Sequence, residues 1–364
     1  MAQRRRRSRK KRRGRLTPLQ RLGRGLYTTL VVFSAIVVGL WLGFKMATRK
    51  PDMAQPPARP NIPAVTDDPS TEIDESQQTL QRRDATWTFL LAAEDQVSGS
   101  TDTIMVCTYD TVNQTVGLVS LPRDTLVDRE GWKFHKLNEV YAAGSHYDVG
   151  GAPLLMDVIG EMLGIPIDHY VLIDTKIFVE IVDAVGGVDF NVPVYMNYDA
   201  PDQDLHIHYQ PGMQHLTGKQ ALEVVRCRKN SDGPGEYPNN IYDAYPDADI
   251  GRTRTQQEMV KTIVKKVLSN PQKVNSYIEI LSRYVKTDLE LGNLLWFGPQ
   301  ALKFDFADLE TATLPGNGNR KFEGVKWVYE LDIEGSLEII NRCLNPYTTP
   351  VTREMVRMVR GEAM

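Results

Sequence analysis

Arg123 and Asp124 follow the apolar run 116–121 and Pro122, so a guanidinium and a carboxylate stand together just beyond the end of a predicted strand. Asp95 lies just after one strand-like run and Asp102 just before the next, and pairing of those strands would bring the three carboxylates to one edge. Carboxylates clustered without Cys or His suit a hard divalent cation, Mg²⁺ with Mn²⁺ as the alternative, better than zinc. The basic residues form a series: Arg123, Lys136, Arg226, Arg228, and then Arg252 with Gln256 four positions on. Arg252 and Gln256 share one face of the helix they open. An arginine in a first helical turn opposes the macrodipole unless an anion sits there, and Gly251 would let such an anion come close. Backbone N–H groups and arginine together make a phosphate site. The competing reading pairs these arginines with surface acids such as Asp247 and Asp249.

Other chemistries find less support. His206, His208 and His215 invite a zinc reading, but the His-x-His falls in a Pro- and Gln-rich stretch read as a loop, with no third ligand at familiar spacing. There is no Walker A loop, Gly-x-Ser-x-Gly elbow or His-Glu-x-x-His. Three cysteines (Cys107, Cys227, Cys343) are too dispersed for a disulfide framework, and Cys107, inside an apolar run, reads as a small buried side chain.

The elements that must position the charged residues are legible as a pattern. Strands are predicted at 86–91, 103–108 and 116–121, the last two joined as a hairpin through residues 110–114. A helix over 152–163 stops at Gly164, a strand follows at 169–173, and Asp174 caps a helix running to 185. Gly186-Gly187 ends that helix before a strand at 188–192, and two more helices are predicted at 217–225 and 252–268. This alternation is an α/β or mixed α+β sandwich. Helical runs at 275–285 and 336–343 are taken to complete the same domain.

Length and charge set the frame around that domain. The chain has 364 residues, 41% of them hydrophobic, enough for a sizeable core. Its formal charge of −3 hides an asymmetry: residues 1–50 hold 15 bases and no acid, whereas the rest holds 28 bases against 46 acids, a net −18. A nucleic-acid reading therefore fails for the folded part. Residues 25–44 carry no charge and would form ~30 Å of helix, which spans a bilayer. Twelve Lys and Arg precede that run, placing the N-terminus in the cytoplasm and the remainder outside a plasma membrane crossed once. The predicted organisation is a basic cytoplasmic head at 1–24, a transmembrane helix at 25–46, a Pro-rich acidic linker at 47–82, a catalytic domain at 83–345 and a tail at 346–364.

The motifs Thr101-Asp102-Thr103-Ile104-Met105, Leu121-Pro122-Arg123-Asp124-Thr125, Lys136-Leu137-Asn138, Val225-Arg226-Cys227-Arg228 and Asp249-Ile250-Gly251-Arg252-Thr253, followed by Gln256, resemble in order and spacing the LytR-CpsA-Psr family. The resemblance implies a three-layer α/β/α sandwich with a central mixed sheet and a long apolar cavity for a polyprenyl chain. It also implies transfer of a glycopolymer, such as teichoic acid or capsule, from undecaprenyl pyrophosphate to a sugar hydroxyl of peptidoglycan. Asp95 and Asp102 would then hold Mg²⁺, and Arg123, Lys136, Arg226, Arg228, Arg252 and Gln256 would grip the pyrophosphate. Asp124 would orient Arg123 or the metal site. The chain departs from the family pattern at Ser100 and Thr255, where arginine is common. Hydrolysis of a polyprenyl pyrophosphate, or carrier binding without catalysis, are the alternatives.

Overall fold

The computed structural model describes residues 43, 45, 47–54, 80–94, 100–144, 149–200, 205–228, 230, 245, 249–273, 277, 279 and 285–364. Met1–Arg49 and Lys50–Met364 form two separate units. Apart from residues 43 and 45, the predicted span 25–46 lies outside the described residues, among which no helix is long and apolar enough to cross a membrane.

In the second unit the chain runs β1 (Thr86–Glu94), β2 (Thr101–Asp110), β3 (Thr115–Leu121), α1 (Leu137–Ala143), α2 (Gly151–Leu163), β4 (His169–Asp174) and α3 (Thr175–Ala184). Four short strands follow, β5 (Val188–Val192), β6 (Met196–Ala200), β7 (Leu205–Tyr209) and β8 (Gly212–Leu216), and then α4 (Gly218–Arg226) and α5 (Asp249–Leu268). The last part holds β9 (Lys286–Thr287), α6 (Leu291–Ala301), β10 (Leu309–Thr313), β11 (Gly316–Phe322), β12 (Val325–Leu331), α7 (Ile333–Ile339) and β13 (Glu362–Ala363).

Six strands form a mixed sheet in the order β10-β3-β2-β1-β4-β9. β1 pairs antiparallel with β2 and parallel with β4, and β10 lies parallel to β3. Local chemistry explains the joints. The Asp110 carboxylate accepts the backbone N–H groups of Val112 and Asn113 and so closes the β2–β3 turn. The Asp174 carboxylate accepts from the Ile177 N–H at 2.7 Å and starts α3. Gly164 ends α2 at φ +67°, where an added Cβ would meet the Met355 carbonyl oxygen at 2.8 Å.

The period-2 alternation of the strands divides the interior into two sides. Leu90, Ala92, Ile104, Val106 and Val119 pack against α1, α2 and the C-terminal residues Ile340, Leu344 and Tyr347. On the other side, Trp87 and Phe89 meet Trp296 and Phe297 of α6. A second core joins α3, α4 and α5 to β5, β7 and β8. Helices thus cover both faces of a central mixed sheet.

Two local expectations are corrected. Asp102 lies inside β2 rather than ahead of it, because pairing with β1 continues to Thr101. The stretch read as a loop around the histidines is the hairpin β6–β7 followed by β8: Leu205, Ile207 and Tyr209 are buried while His206 and His208 face out, the signature of a half-exposed strand. The predicted helix at 275–285 falls almost wholly outside the described residues.

Candidate active site

Four of the predicted residues meet directly. Arg123 Nη1 donates to Asp102 Oδ1 at 2.7 Å, and Arg123 Nε lies 3.7 Å from Asp124 Oδ2. Lys136 Nζ donates to the other oxygen of Asp124 at 2.9 Å. One guanidinium therefore bridges a carboxylate on β2 and a carboxylate in the turn after β3, and the ammonium balances the second.

The backbone around this cluster is pinned from two sides. The Tyr329 N–H on β12 donates to the Asp124 carbonyl at 2.7 Å, and Leu126 N–H returns a bond to the Tyr329 carbonyl. On the opposite side Asn138 N–H donates to the Arg123 carbonyl and Leu137 N–H to the Thr125 carbonyl. Thr125, fully buried, closes the turn by donating its hydroxyl to the Pro122 carbonyl. Lys136 occupies the position before α1 in extended conformation, which aims its side chain back at Asp124. Sequence reasoning missed β12: its contact with Asp124 and Leu126 is remote in the chain, and nothing in its composition announces the partner.

The remaining basic residues gather where α4 ends and α5 begins. Arg226 is the last residue of α4 and Arg228 lies beyond it; both are exposed on either side of buried Cys227, whose extended backbone separates them. Arg252, in the first turn of α5, is buried, while Gln256 Nε2 donates to the Val225 carbonyl at 3.2 Å. Burial pushes the Cys227 thiol up to about 12 against the opposing charge of Arg252. Burial likewise raises Tyr245, whose ring fills the space over Gly251: a Cβ there would lie 2.4 Å from the Tyr245 Cβ. That small residue makes room for an aromatic side chain, not for the anion that the sequence suggested. Thr255, where the family pattern has arginine, is buried and donates to the Gly251 carbonyl. The neighbouring Gln257 ties this region to the first cluster through Ser120 Oγ on β3 at 2.7 Å.

Asp95 lies outside the described residues. Asp102, whose side chain is 39% exposed, offers carboxylate oxygen alone, and Asp124 stands across Arg123. Such hard oxygen donors fit Mg²⁺ or Mn²⁺. Cys107 is partly buried on β2, and desolvation pushes its thiol up to about 12.

An apolar cavity of about 290 Å³ lies between the sheet and helices α3 and α5. Its floor is the sheet, with Leu91, Ala93, Thr103, Val171 and Ile173; Phe178 and Ile181 of α3 and Val260, Ile263 and Val267 of α5 form its roof. Thr103 follows Asp102 directly along β2.

Comparison with known proteins is consistent with this architecture. The LytR_cpsA_psr family model matches residues 63–343. A polyisoprenyl-teichoic acid–peptidoglycan teichoic acid transferase, TagU of Bacillus mycoides strain KBAB4, is 30% identical over 260 residues, 70% of this chain and 76% of the relative. The crystal structure of B. subtilis TagV superposes with a TM-score of 0.57 at 23% identity, covering 71% of this chain and 95% of that one. A structure of TagT bound to LI-WTA gives 0.56 at 19% identity, covering 83% and 100%. The last two establish likeness of fold.

Proposed function

The chain belongs to the LytR_cpsA_psr family, and on that premise we propose that it moves a glycopolymer, such as teichoic acid or capsule, from undecaprenyl pyrophosphate to a sugar hydroxyl of peptidoglycan. In this reading residues 25–46 anchor it in the plasma membrane and the domain beyond acts outside. One observation carries the proposal: Asp102 of the charged pair and Thr103 of the cavity lining are consecutive at the start of β2, on opposite faces of the sheet at that strand end. A single molecule with an isoprenoid tail and a diphosphate head would occupy both by passing around that strand end. The relative TagU, named for a polyisoprenyl-linked teichoic acid and peptidoglycan, points to the same substrate class.

The charges explain the division of labour. Arg123, Lys136, Asp102 and Asp124 sum to zero, so at rest this cluster does not attract a diphosphate by net charge. Its work is to hold the Arg123 fork in a fixed plane, where it can exchange carboxylate oxygens for phosphate oxygens. Exposed Arg226 and Arg228 supply attraction for the anion, and Asp102 with Asp95 would hold Mg²⁺. Bound there, Mg²⁺ would supply positive charge against the diphosphate and the departing phosphate. Asp124 keeps Arg123 and Lys136 from drifting apart while the acceptor hydroxyl approaches.

The test incubates the full-length protein in detergent with a synthetic prenyl-pyrophosphate-linked saccharide and peptidoglycan fragments, with and without Mg²⁺, and follows both products by mass spectrometry. Metal-dependent appearance of saccharide phosphate on the acceptor is expected. Release of free saccharide phosphate alone would make the protein a hydrolase, and unchanged bound lipid would make it a carrier-binding protein.

A further inference from the structure

Away from the Arg123 cluster, the β6–β7 hairpin gathers a second chemical constellation. Its register sets Asp199 opposite His206 and Asn197 opposite His208. The two histidines are two residues apart on the solvent face of β7, and their side chains are about half exposed, 52% and 54%. His206 Nδ1 lies 2.6 Å from Asp199 Oδ1, and His208 Nε2 lies 3.3 Å from the same oxygen. The ligand atoms of all three residues fall within 4.8 Å of one another.

We propose that Asp199, His206 and His208 form a binding site for a divalent transition ion, with Zn²⁺ as the expected occupant and solvent in the fourth position. Two imidazoles and a carboxylate are a donor set that zinc takes and that Mg²⁺ or Ca²⁺ does not prefer. Zinc bonds of 2.0–2.2 Å in a tetrahedron put neighbouring ligand atoms roughly 3.3 Å apart. The His208–Asp199 separation of 3.3 Å already has that value. The His206–Asp199 contact of 2.6 Å must open by several tenths of an ångström, a small rotation for an exposed ring.

A fourth residue supports the assignment. Asn197 Oδ1 lies 2.6 Å from His208 Nδ1; in the tautomer that donates from Nδ1 to this amide oxygen, Nε2 presents its lone pair toward the ion. That arrangement, one ring nitrogen held by an acceptor while the other faces the ion, is the usual support of a metal-binding histidine. The hairpin is also fastened to the anion-facing region: Asn197 N–H donates to Asn230 Oδ1 at 2.9 Å, two residues past Arg228. An ion on the hairpin therefore braces the segment that presents Arg228. His215, the third histidine of the sequence motif, pairs instead with Asp189 at 2.8 Å on β5–β8.

The test uses full-length protein in detergent, without a histidine tag, stripped of metal by chelation and titrated with Zn²⁺ in a calorimeter and with Co²⁺ by visible absorption. One equivalent is expected, with the intense absorption of four-coordinate cobalt. H206A and H208A should each weaken binding at least about 10-fold, N197A less, and H215A not at all. All four positions are partly or wholly at the surface, and unchanged far-ultraviolet circular dichroism confirms folding. Wild-type protein that takes up no zinc, or an H206A/H208A double variant that binds as the wild type does, overturns the assignment.

Discussion

Replacing Arg123 by alanine separates a catalytic arginine from a structural one. The guanidinium touches Asp102 at 2.7 Å and Asp124 at 3.7 Å, but both carboxylates are about a third exposed, 39% and 34%. Water can solvate them once the arginine is gone, so the stability cost is that of a partly exposed ion pair, about 0–1 kcal/mol. In a domain of this size 1 kcal/mol moves Tm by no more than about 2–4 °C. The effect on transfer should be much larger, because in the proposed reaction the fork is the donor held ready for phosphate oxygens. Loss of one preorganised donor of that kind costs about 2.7–4 kcal/mol, or about 10²–10³ in rate. R123K keeps the charge but cannot reach both carboxylates along a fixed plane, and should recover only part of the loss. The assay is kcat/KM for saccharide phosphate transfer, paired with thermal melting of the same preparations. An R123A enzyme within about threefold of wild type, under ~0.7 kcal/mol, would defeat the assignment of Arg123 to phosphate. So would a loss of activity that tracks a Tm drop far beyond that of a surface ion pair.

Three further outcomes follow from the geometry. Ala184→Phe on α3 adds a ring to the apolar cavity; it should raise KM for long-chain prenyl substrates several-fold and leave a water-soluble short-chain analogue unaffected, and equal effects on both would separate the cavity from the lipid. Gly251→Ala forces a Cβ to within 2.4 Å of Tyr245, an overpacking worth about 1–3 kcal/mol in denaturant unfolding, and wild-type stability would contradict the contact. Burial pushes the Asp288 carboxyl up, but the His169 ring and the Tyr170 N–H outweigh it, and the net value lies below the ordinary 3.8. A carboxyl depressed by folding stabilises fully above its unfolded value and loses that contribution as pH falls through the folded one. The Tm gap between wild type and Asp288→Asn should therefore stay constant from neutral pH down to about pH 4 and narrow below it; a gap that widens in acid would reverse the sign.

Much of the fold was legible because its signals are local. Asp174 before an apolar helical run, Gly164 after one, and the Asp110–Gln114 turn between two strands each carry their own hydrogen bonds, and the structure places a cap, a stop and a hairpin there. β10 and β12 carried no comparable signal. β10 joins the sheet beside β3 after a long excursion, and β12 has a polar exterior with Trp327 exposed. β10 is placed by pairing with β3, far away in sequence, whereas β12 pairs with its neighbour β11 and reaches the site only through the backbone bonds of Tyr329 to Asp124 and Leu126. The β6–β7 hairpin was a different failure: the alternation Leu205-His206-Ile207-His208-Tyr209 was present, but flanking Pro and Gln residues outweighed it, and with the strand went the cross-strand Asp199.

For the site, residue types were legible and their pairings were not. A count of arginines and a lysine suggests strong attraction for an anion, yet two of those cations are spent on Asp102 and Asp124, and Arg252 is buried beside Cys227 and Tyr245. Sequence spacing cannot distinguish a cation aimed at a ligand from one aimed at a neighbouring carboxylate, because the choice depends on which loop β12 presses toward α1. Once the pairings are known, the formal charges of Arg123, Lys136, Asp102 and Asp124 sum to zero. In the proposed reaction that balance would leave recognition of the diphosphate partly to exposed Arg226 and Arg228 and to a cation held by the acids, and would keep the Arg123 fork for the geometry that develops during transfer.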